Sequence, residues 1–582
     1  MRLRRLVYVA VFSLIALSAA RADEIKLKII AFNDFHGNLQ SPGKFRANAQ
    51  SPNVESGGAD FLAAYIRNLE NENPNHAIVA AGDLIGASPL VSSLFHDQDT
   101  IEFMDRLGLD FSAVGNHEFD KGRQELLRKQ YGGCFKPNGI ECEQTAGEAA
   151  PFKGAKFKYL AANVVDTSTG KTLFPGYGAK TYHGVKVAFI GLTLRGTPNL
   201  VAPSGIVGLR FDNEADSINR IVRSLRKQGI ESFVVLIHEG GTQTTKGTPD
   251  INACEGGLSG TPIEGIVHKL DDAVGLVISA HTHQAYICQV ANSAGRKIVV
   301  TSAASYGRLV TDIDVKIDTK TKNITSVAAR NIVVDRTNEA GIAPDAAIQK
   351  TVNRYAALAA PIANREVGQI TADFSKQLSP SGESALGDLV ADAQLAATSS
   401  ASSGGAVVAL MNEGGVRMDL PFTSNMAGAK SGSVTYGELF TIHPFGNTLV
   451  TMTLTGAQMK TLLEEQFKGC ALGSPGGDAP APSFDRILQV SEGFSYTWNP
   501  DGATCNKVDA GSIKINGAAI DPSAKYRVTV NNYLADGGDD MYVLKQGTDL
   551  TGGPLDLDAL VDYCSKHRPL APAEPHRIGI KP

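Results

Sequence analysis

Phe111-Ser112-Ala113-Val114-Gly115-Asn116-His117-Glu118-Phe119-Asp120 is a short apolar run that stops at a glycine and turns polar. Read as a buried strand followed by a loop, it delivers three useful groups at one strand end. Asn116 offers a carbonyl oxygen able to ligate a metal. His117 offers an imidazole able to hydrogen-bond a phosphate, and Asp120, three residues on, can hold that imidazole in one tautomer. Alone such a loop says little, because a histidine after a strand is most often an ordinary loop residue. Four more segments give it weight: Asp34-Phe35-His36, Gly82-Asp83, His238-Glu239-Gly240-Gly241 and His281-Thr282-His283.

Each of these follows an apolar run rich in Val, Ile and Ala, at 28–32, 77–81, 185–192, 233–237 and 274–279 among others. Continuous runs of that length suit strands buried on both faces. Between them lie amphipathic stretches at 60–71 and 214–228, so the first part of the chain predicts a layered α/β fold. The candidate ligands then sit beyond the carboxyl ends of strands, where open α/β sheets place their ligands. After Asp318 a polar segment leads to a strand at 326–334 and a helix at 344–363, with Ile348, Val352, Tyr355, Ala356 and Leu358 on one side. That helix reads as a connector. From Val367 onward Gly, Ser and Thr increase, with a helix at 385–397 and strands at 406–411, 448–454, 494–498 and 527–531. This predicts a second domain, and the Gly/Ser/Pro-rich loops at 399–405 and 473–482 read as flexible.

Asp34 and His36, two apart on a strand, can converge on one ion. Carboxylate, imidazole and amide oxygen together suit borderline divalent ions such as Zn, Mn, Fe or Co. The order and residue types of the five segments resemble the calcineurin-like metallophosphoesterase superfamily, specifically the two-domain bacterial 5'-nucleotidase family. The resemblance covers nearly all of the chain beyond residue 22. It implies an N-terminal four-layer α/β/β/α metallophosphoesterase domain (23–335), a linker helix (336–365) and a C-terminal α+β 5'-nucleotidase substrate-binding domain (366–582). It also implies two divalent metal ions, Zn, Mn or similar. Asp34, His36, Asp83 and His283 would hold the first; Asp83 would bridge to the second, completed by Asn116, His238 and His281. His117 and Asp120 would be the catalytic pair.

The substrate is read from the second half. Asn412-Glu413-Gly414-Gly415-Val416-Arg417 resembles the family's N-x-G-G-[IV]-R segment, with Arg417 able to make a forked contact to phosphate. His443-Pro444-Phe445-Gly446-Asn447 and the segment from Asn532 to Asp539 match places where the family keeps two aromatic rings and an acid. By that resemblance Phe445 and Tyr533 sandwich a base, Asp539 accepts from ribose hydroxyls, and Asn412 and Asn447 add polar contacts. One departure matters. Many relatives carry an arginine shortly before the Glu-x-x-x-Gly-[Asn/Asp]-Leu segment, whereas Ser379-Pro380-Ser381-Gly382 precedes Glu383 here, leaving Lys376 as a candidate substitute. The expected activity is therefore a 5'-nucleotidase releasing nucleoside and phosphate. 2',3'-Cyclic-nucleotide phosphodiesterase and UDP-sugar or nucleotide diphosphate hydrolase activity on the same scaffold are the alternatives, with a non-catalytic nucleotide-binding module as the third.

Bulk properties agree with an exported globular protein. With 582 residues the chain is too long for one core. Arg2, Arg4 and Arg5 precede a short apolar run, and Ala20-Arg21-Ala22 offers small residues for a signal peptidase, so residues 1–22 read as a cleaved signal peptide for periplasmic or secreted export. The run is short for a membrane span and no cysteine follows it, which disfavours a stable membrane anchor. Without those residues the formal charge moves from −5 to −9, with 51 basic against 60 acidic side chains. That balance argues against a nucleic acid polymer as partner. Seven cysteines suggest disulfides, with Cys134–Cys142, Cys254–Cys288 and Cys470–Cys505 as pairs and Cys564 left over. A monomer or homodimer is expected.

Overall fold

A computed structural model describes residues 24–134, 152–201, 203–243, 248–337, 341–423, 430–473, 482 and 484–581. The expected leader, Cys142 and most of the 473–482 loop lie outside the described residues. Two six-stranded sheets build the first half. One runs in the order Ile324–Val333, Leu309–Asp318, Glu24–Phe32, His76–Ala80, Phe111–Ala113 and Lys158–Leu160. Its last four strands are parallel, and the first two add antiparallel. The other runs Ala285–Ala291, Lys297–Ala303, Val274–Ile278, Ser232–His238, Val185–Thr193 and Tyr177–Tyr182, with a parallel centre and antiparallel edges.

Strand alternation explains the layering. Ile29 and Ala31 point into the interface between the sheets, where they meet Phe189, Val234 and Leu236. Ile30 and Phe32 point the other way, against helices that contribute Phe61, Leu62, Ile66 and Phe103. Ile190, Leu192, Val235 and Ile237 cover the far side of the second sheet with Ile218, Val222 and Val267. Both faces of each central strand are thus buried, at roughly 1.5–3 kcal/mol per large apolar side chain. The result is helix, sheet, sheet, helix. Lys28 interrupts the apolar strand, yet its amine is buried against Asp312 at 2.5 Å and Glu72 at 2.8 Å, which raises its pKa despite burial.

The connecting helix is Ala346–Ala363, begun by Asp345, whose side chain accepts from the main-chain N–H groups of Ala347 and Ile348. Ile348 and Val352 are buried as expected, but Leu358 is 48% exposed. At 100° per residue Leu358 has rotated about 80° off the Ile348 line, whereas Ala359 stays on it. Ala359 packs instead with Val91 and Phe95.

The second half centres on a five-stranded sheet in the order Gln489–Val490, Val408–Met411, Lys525–Asn531, Thr448–Thr455 and Thr548–Leu555. Antiparallel register sets Leu449 opposite Asn531, so the start of one strand lies beside the end of its neighbour. Asn412, Asn447 and Asn532 all leave the sheet at that end. The main-chain N–H of Thr448 donates to Asn532 Oδ1 at 2.8 Å, tying two of these exits together. Cys254–Cys288 and Cys470–Cys505 are bonded, and Cys564 is free and buried. The 399–405 stretch closes on itself: Gly405 N–H donates to the Ser400 carbonyl and Ser400 Oγ pairs with Ser403.

Candidate active site

Five loops deliver acceptors to one buried point. His283 Nε2 lies 3.4 Å from Asp34 Oδ1 and 3.2 Å from His36 Nε2, and His36 Nε2 lies 3.6 Å from Asp83 Oδ2. The same Asp83 oxygen lies 3.0 Å from His238 Nε2, which is 3.1 Å from Asn116 Oδ1. Asp83 Oδ2 therefore stands between two imidazoles, while Asp34 joins both sets of donors. The His281 ring stands edge-on to that of His238, centroids 5.2 Å apart, and its main-chain N–H donates to Asp34.

Hydrogen bonds decide what these rings present. His36 Nδ1 faces the Gly86 carbonyl at 2.8 Å and His238 Nδ1 faces the Ala81 carbonyl at 2.9 Å. Assigning the proton to Nδ1 in each leaves both Nε2 atoms as lone pairs aimed at carboxylate or amide oxygens. Lone pairs gathered 3–4 Å apart repel unless a cation sits among them. Such separations suit donors around ions with bonds of roughly 2.0–2.2 Å. The residues present thus fit divalent metal ions by donor type, spacing and orientation.

Burial pushes every charge here towards neutrality, and neighbours decide the outcome. Burial raises Asp34, but His283 and His238 bring it below the ordinary carboxylate value. Asp83 is held further down, against burial, by His238 and His117. Burial lowers His238, yet without a cation Asp83 lifts it to about 10, so Nε2 offers its lone pair only when a metal ion displaces that proton. His281 falls to about 3 through burial and the nearby His238. One cluster holds imidazoles pulled in opposite directions around two carboxylates, a pattern concentrated at functional sites.

The backbone is strained to make this possible. Asp34, His36, Asp83, His281 and His283 all have φ between 46° and 72°. Non-glycine residues there cost roughly 1–3 kcal/mol each and persist only where the surroundings over-determine them. Gly115 is required by crowding: a Cβ on it would collide with Asp83 Oδ1.

His117 stands beside this centre. Its Nδ1 bonds Asp120 Oδ2 at 2.9 Å and its main-chain N–H donates to Asp83 Oδ1 at 2.9 Å. Burial lowers its pKa, but Asp120 and Asp83 outweigh that and raise it. The Phe445 ring stacks on the His117 ring at 5.8 Å, with the Arg417 guanidinium 5.9 Å from the Phe445 ring. Here the two halves of the chain meet. Arg417 Nε and Nη2 are buried without a hydrogen-bond partner.

One cleft of about 810 Å³ runs from His117 past Arg417 to Tyr533 and Asp539. Tyr533 donates its hydroxyl to Asp539 Oδ1 at 2.9 Å and Asn412 Nδ2 donates to Oδ2 at 2.9 Å. The Tyr533 ring lies on Gly538, where an added Cβ would strike three ring atoms. Asn447 and Lys376 also line the cleft. The segment lacking the expected arginine serves a different purpose. Glu383 accepts the N–H groups of His576, Arg577 and Ile578 and anchors the last strand.

Four residues escaped sequence reasoning. Glu118 accepts from Asp83 N (2.9 Å), Leu84 N (2.8 Å) and Gly115 N (2.6 Å), lacing two ligand loops together. Burial and the Asp83 charge push its carboxyl up, while the three amide donors favour the ion. Its place inside the Gly-Asn-His-Glu run was the available signal. Asn33 Nδ2 orients Asp34 at 2.6 Å, and Tyr306 packs edge-on against His36 and His283. Arg486 pairs with Asp540 at 3.0 Å and lies 3.7 Å from Asp539. No local pattern marks the last three.

Residues 27–285 match the calcineurin-like phosphoesterase family, and residues 362–546 match the 5'-nucleotidase C-terminal domain. Among curated proteins, the endonuclease YhcR of Bacillus subtilis is 32% identical over 96% of this chain, which spans only 41% of that protein. The cell wall protein Lmo0130 of Listeria monocytogenes is 29% identical over 94% of this chain and 67% of its own length. Among solved structures, a 5'-nucleotidase precursor from Thermus thermophilus superposes with a TM-score of 0.74 at 24% identity, covering 96% of this chain and 99% of that one.

Proposed function

This chain belongs to the two-domain 5'-nucleotidase family, and on that premise we propose that it hydrolyses nucleotide phosphoesters, releasing nucleoside and phosphate from 5'-mononucleotides. The observation that carries the reading is a buried cluster of acceptors facing an arginine with two unpaired nitrogens across one cleft. We assign Asp34, His36, Asp83 and His283 to one divalent ion, and Asp83, Asn116, His238 and His281 to a second. Residues 23–335 would form the metal domain, 336–365 the connector and 366–582 the substrate domain. Two disulfides and the leader-like first 22 residues support export.

When bound, divalent ions here would neutralise phosphate oxygens and acidify water. The chain's own residues do the rest. Arg417 offers its unpaired guanidinium N–H groups to the phosphate. His117, kept protonated by Asp120, presents Nε2 to the oxygen that leaves with the nucleoside and donates a proton to it. Asp120 fixes the ring's orientation. Tyr533 and Phe445 supply ring faces for the base, and Asp539 keeps acceptor capacity for ribose hydroxyls beyond the bonds it already accepts.

The cleft volume favours a second reading. About 810 Å³ lies in the upper part of the roughly 300–1,000 Å³ range of small-molecule sites, so a nucleoside diphosphate conjugate also fits. Assaying metal-loaded protein against AMP, ADP, UDP-glucose, cyclic AMP and 2',3'-cyclic AMP separates the readings. AMP is expected to give the highest kcat/KM. Preference for UDP-glucose or a cyclic substrate would replace the first reading, and no turnover of any would reject both.

A further inference from the structure

Beside the cleft-lining Phe445 and Asn447 lies a buried pair that the chemistry above does not use. His443 and Asp556 are each 1% exposed. By hydrogen-bond geometry neither His443 ring nitrogen nor Asp556 Oδ2 has a well-formed partner, the Gly415 main chain and the Asn447 side chain making only weak polar contacts with them, and Nδ1 and Oδ2 stand 3.9 Å apart. Leaving such atoms unpaired costs roughly 1–3 kcal/mol each, and an apolar pair would fill the space without that cost. Their surroundings suggest what is gained. His443 ends the helix Tyr436–Ile442 and opens the loop that carries Phe445 and Asn447. Asp556 starts the helix Asp556–Lys566, and its main-chain N–H donates to the Asn447 carbonyl at 2.9 Å. Its carboxyl also meets the Asn447 side chain, while the His443 ring lies beside the Gly415 main chain. One step away, Arg417 N–H donates to the Ile442 carbonyl at 3.1 Å.

We infer that His443 and Asp556 are a positioning pair that fixes the 443–447 loop, holding Phe445 and Asn447 in register for the base of the nucleotide. This rests on the proposed nucleotide hydrolysis. The pair closes by one direct hydrogen bond when the loop shifts by about 1 Å to bring Nδ1 and Oδ2 to hydrogen-bond distance. Burial drives both groups towards their neutral forms, His443 down to about 4 and Asp556 up to about 7. A carboxamide can therefore replace the carboxyl.

The test uses the full chain with metal, reading AMP and p-nitrophenyl phosphate in parallel. His443→Phe and Asp556→Leu should each raise KM for AMP about tenfold, with kcat and both p-nitrophenyl phosphate constants within twofold. The double variant should be no worse than either single, and Asp556→Asn should stay within threefold of the unaltered protein. Independently of activity, hydrogen exchange across 443–447 should quicken in His443→Phe and Asp556→Leu but not in Asp556→Asn. An unchanged KM for AMP with unchanged exchange overturns the pair, as does a parallel loss on both substrates or an additive double variant. Failure of the unaltered protein to act on any nucleotide counts instead against the proposed function, and the exchange measurement then decides the pair alone.

Discussion

At the scale of single residues, the side chains the fold gathers at Asp34, His36, Asp83, His238 and His283 were legible because each stands at a strand end. What one-dimensional reading cannot supply is how the loops are held. Glu118 is the clearest case: it looks like one acidic residue in a polar loop, yet its carboxylate gathers three main-chain N–H groups from both ligand loops. Glu118→Gln keeps the shape but turns one acceptor into a donor facing those amides. By the usual weight of residues that orient metal ligands, activity or metal affinity should fall roughly 10–100-fold. Activity within twofold of the unaltered protein, measured with saturating metal, would show that the lacing is dispensable. Tyr533 teaches a related lesson. Its ring was assigned to the base, but its hydroxyl also bonds Asp539. Tyr533→Phe keeps the ring and removes a bond worth about 0.5–1.5 kcal/mol, so KM for AMP should rise roughly twofold to tenfold. The 2'- and 3'-deoxy analogues should be affected less, because the acid they meet has fewer hydroxyl partners to lose.

At the scale of elements, strands declared themselves by continuous apolar runs, and most of their ends came within a residue or two, although Glu24–Phe32 starts four residues before the run at 28–32 and Phe494–Ala503 continues five residues past 498. Lys28 shows the limit of that signal: a charged residue inside the strand Glu24–Phe32 is buried because Asp312 and Glu72 reach it. Neither partner is adjacent in sequence. The helix Ala346–Ala363 was legible as an element, but its buried face was misassigned at Leu358, since a small alanine one residue on fits the contact with Val91 and Phe95 better. Its start is set by Asp345, which caps two main-chain N–H groups at 3.0 Å. Asp345→Ala should cost about 1 kcal/mol, read as a lower denaturation midpoint at unchanged slope. No change in midpoint would mean the helix is held by packing alone.

At the scale of the whole molecule, nothing in the sequence says that Phe445 would lie on His117, more than 300 positions away. That contact comes from sheet order, which carries the 443–447 loop to the same end as Asn412 and Asn532, and from helices that set this end against the metal loops. The unpaired N–H groups of Arg417 point the same way, since they are buried without partners where a phosphate would lie. Chelation tests how the halves cooperate: stripping divalent ions should abolish hydrolysis of AMP and p-nitrophenyl phosphate alike and lower thermal stability of the first domain, because Asp34, Asp83 and the imidazoles lose their counter-charge. Restored ions should return both. Loss of AMP turnover alone would place the ions with the base rather than the phosphate.

The most direct measurement is metal content per chain, by mass spectrometry of protein dialysed free of loose ions, in the unaltered protein and in Asp83→Ala. Two divalent ions per chain are expected in the first and fewer than one in the second, because Asp83 Oδ2 stands between His36 and His238, 3.6 and 3.0 Å from their Nε2 atoms. An unaltered protein that holds none, or a variant that keeps both, would contradict the account.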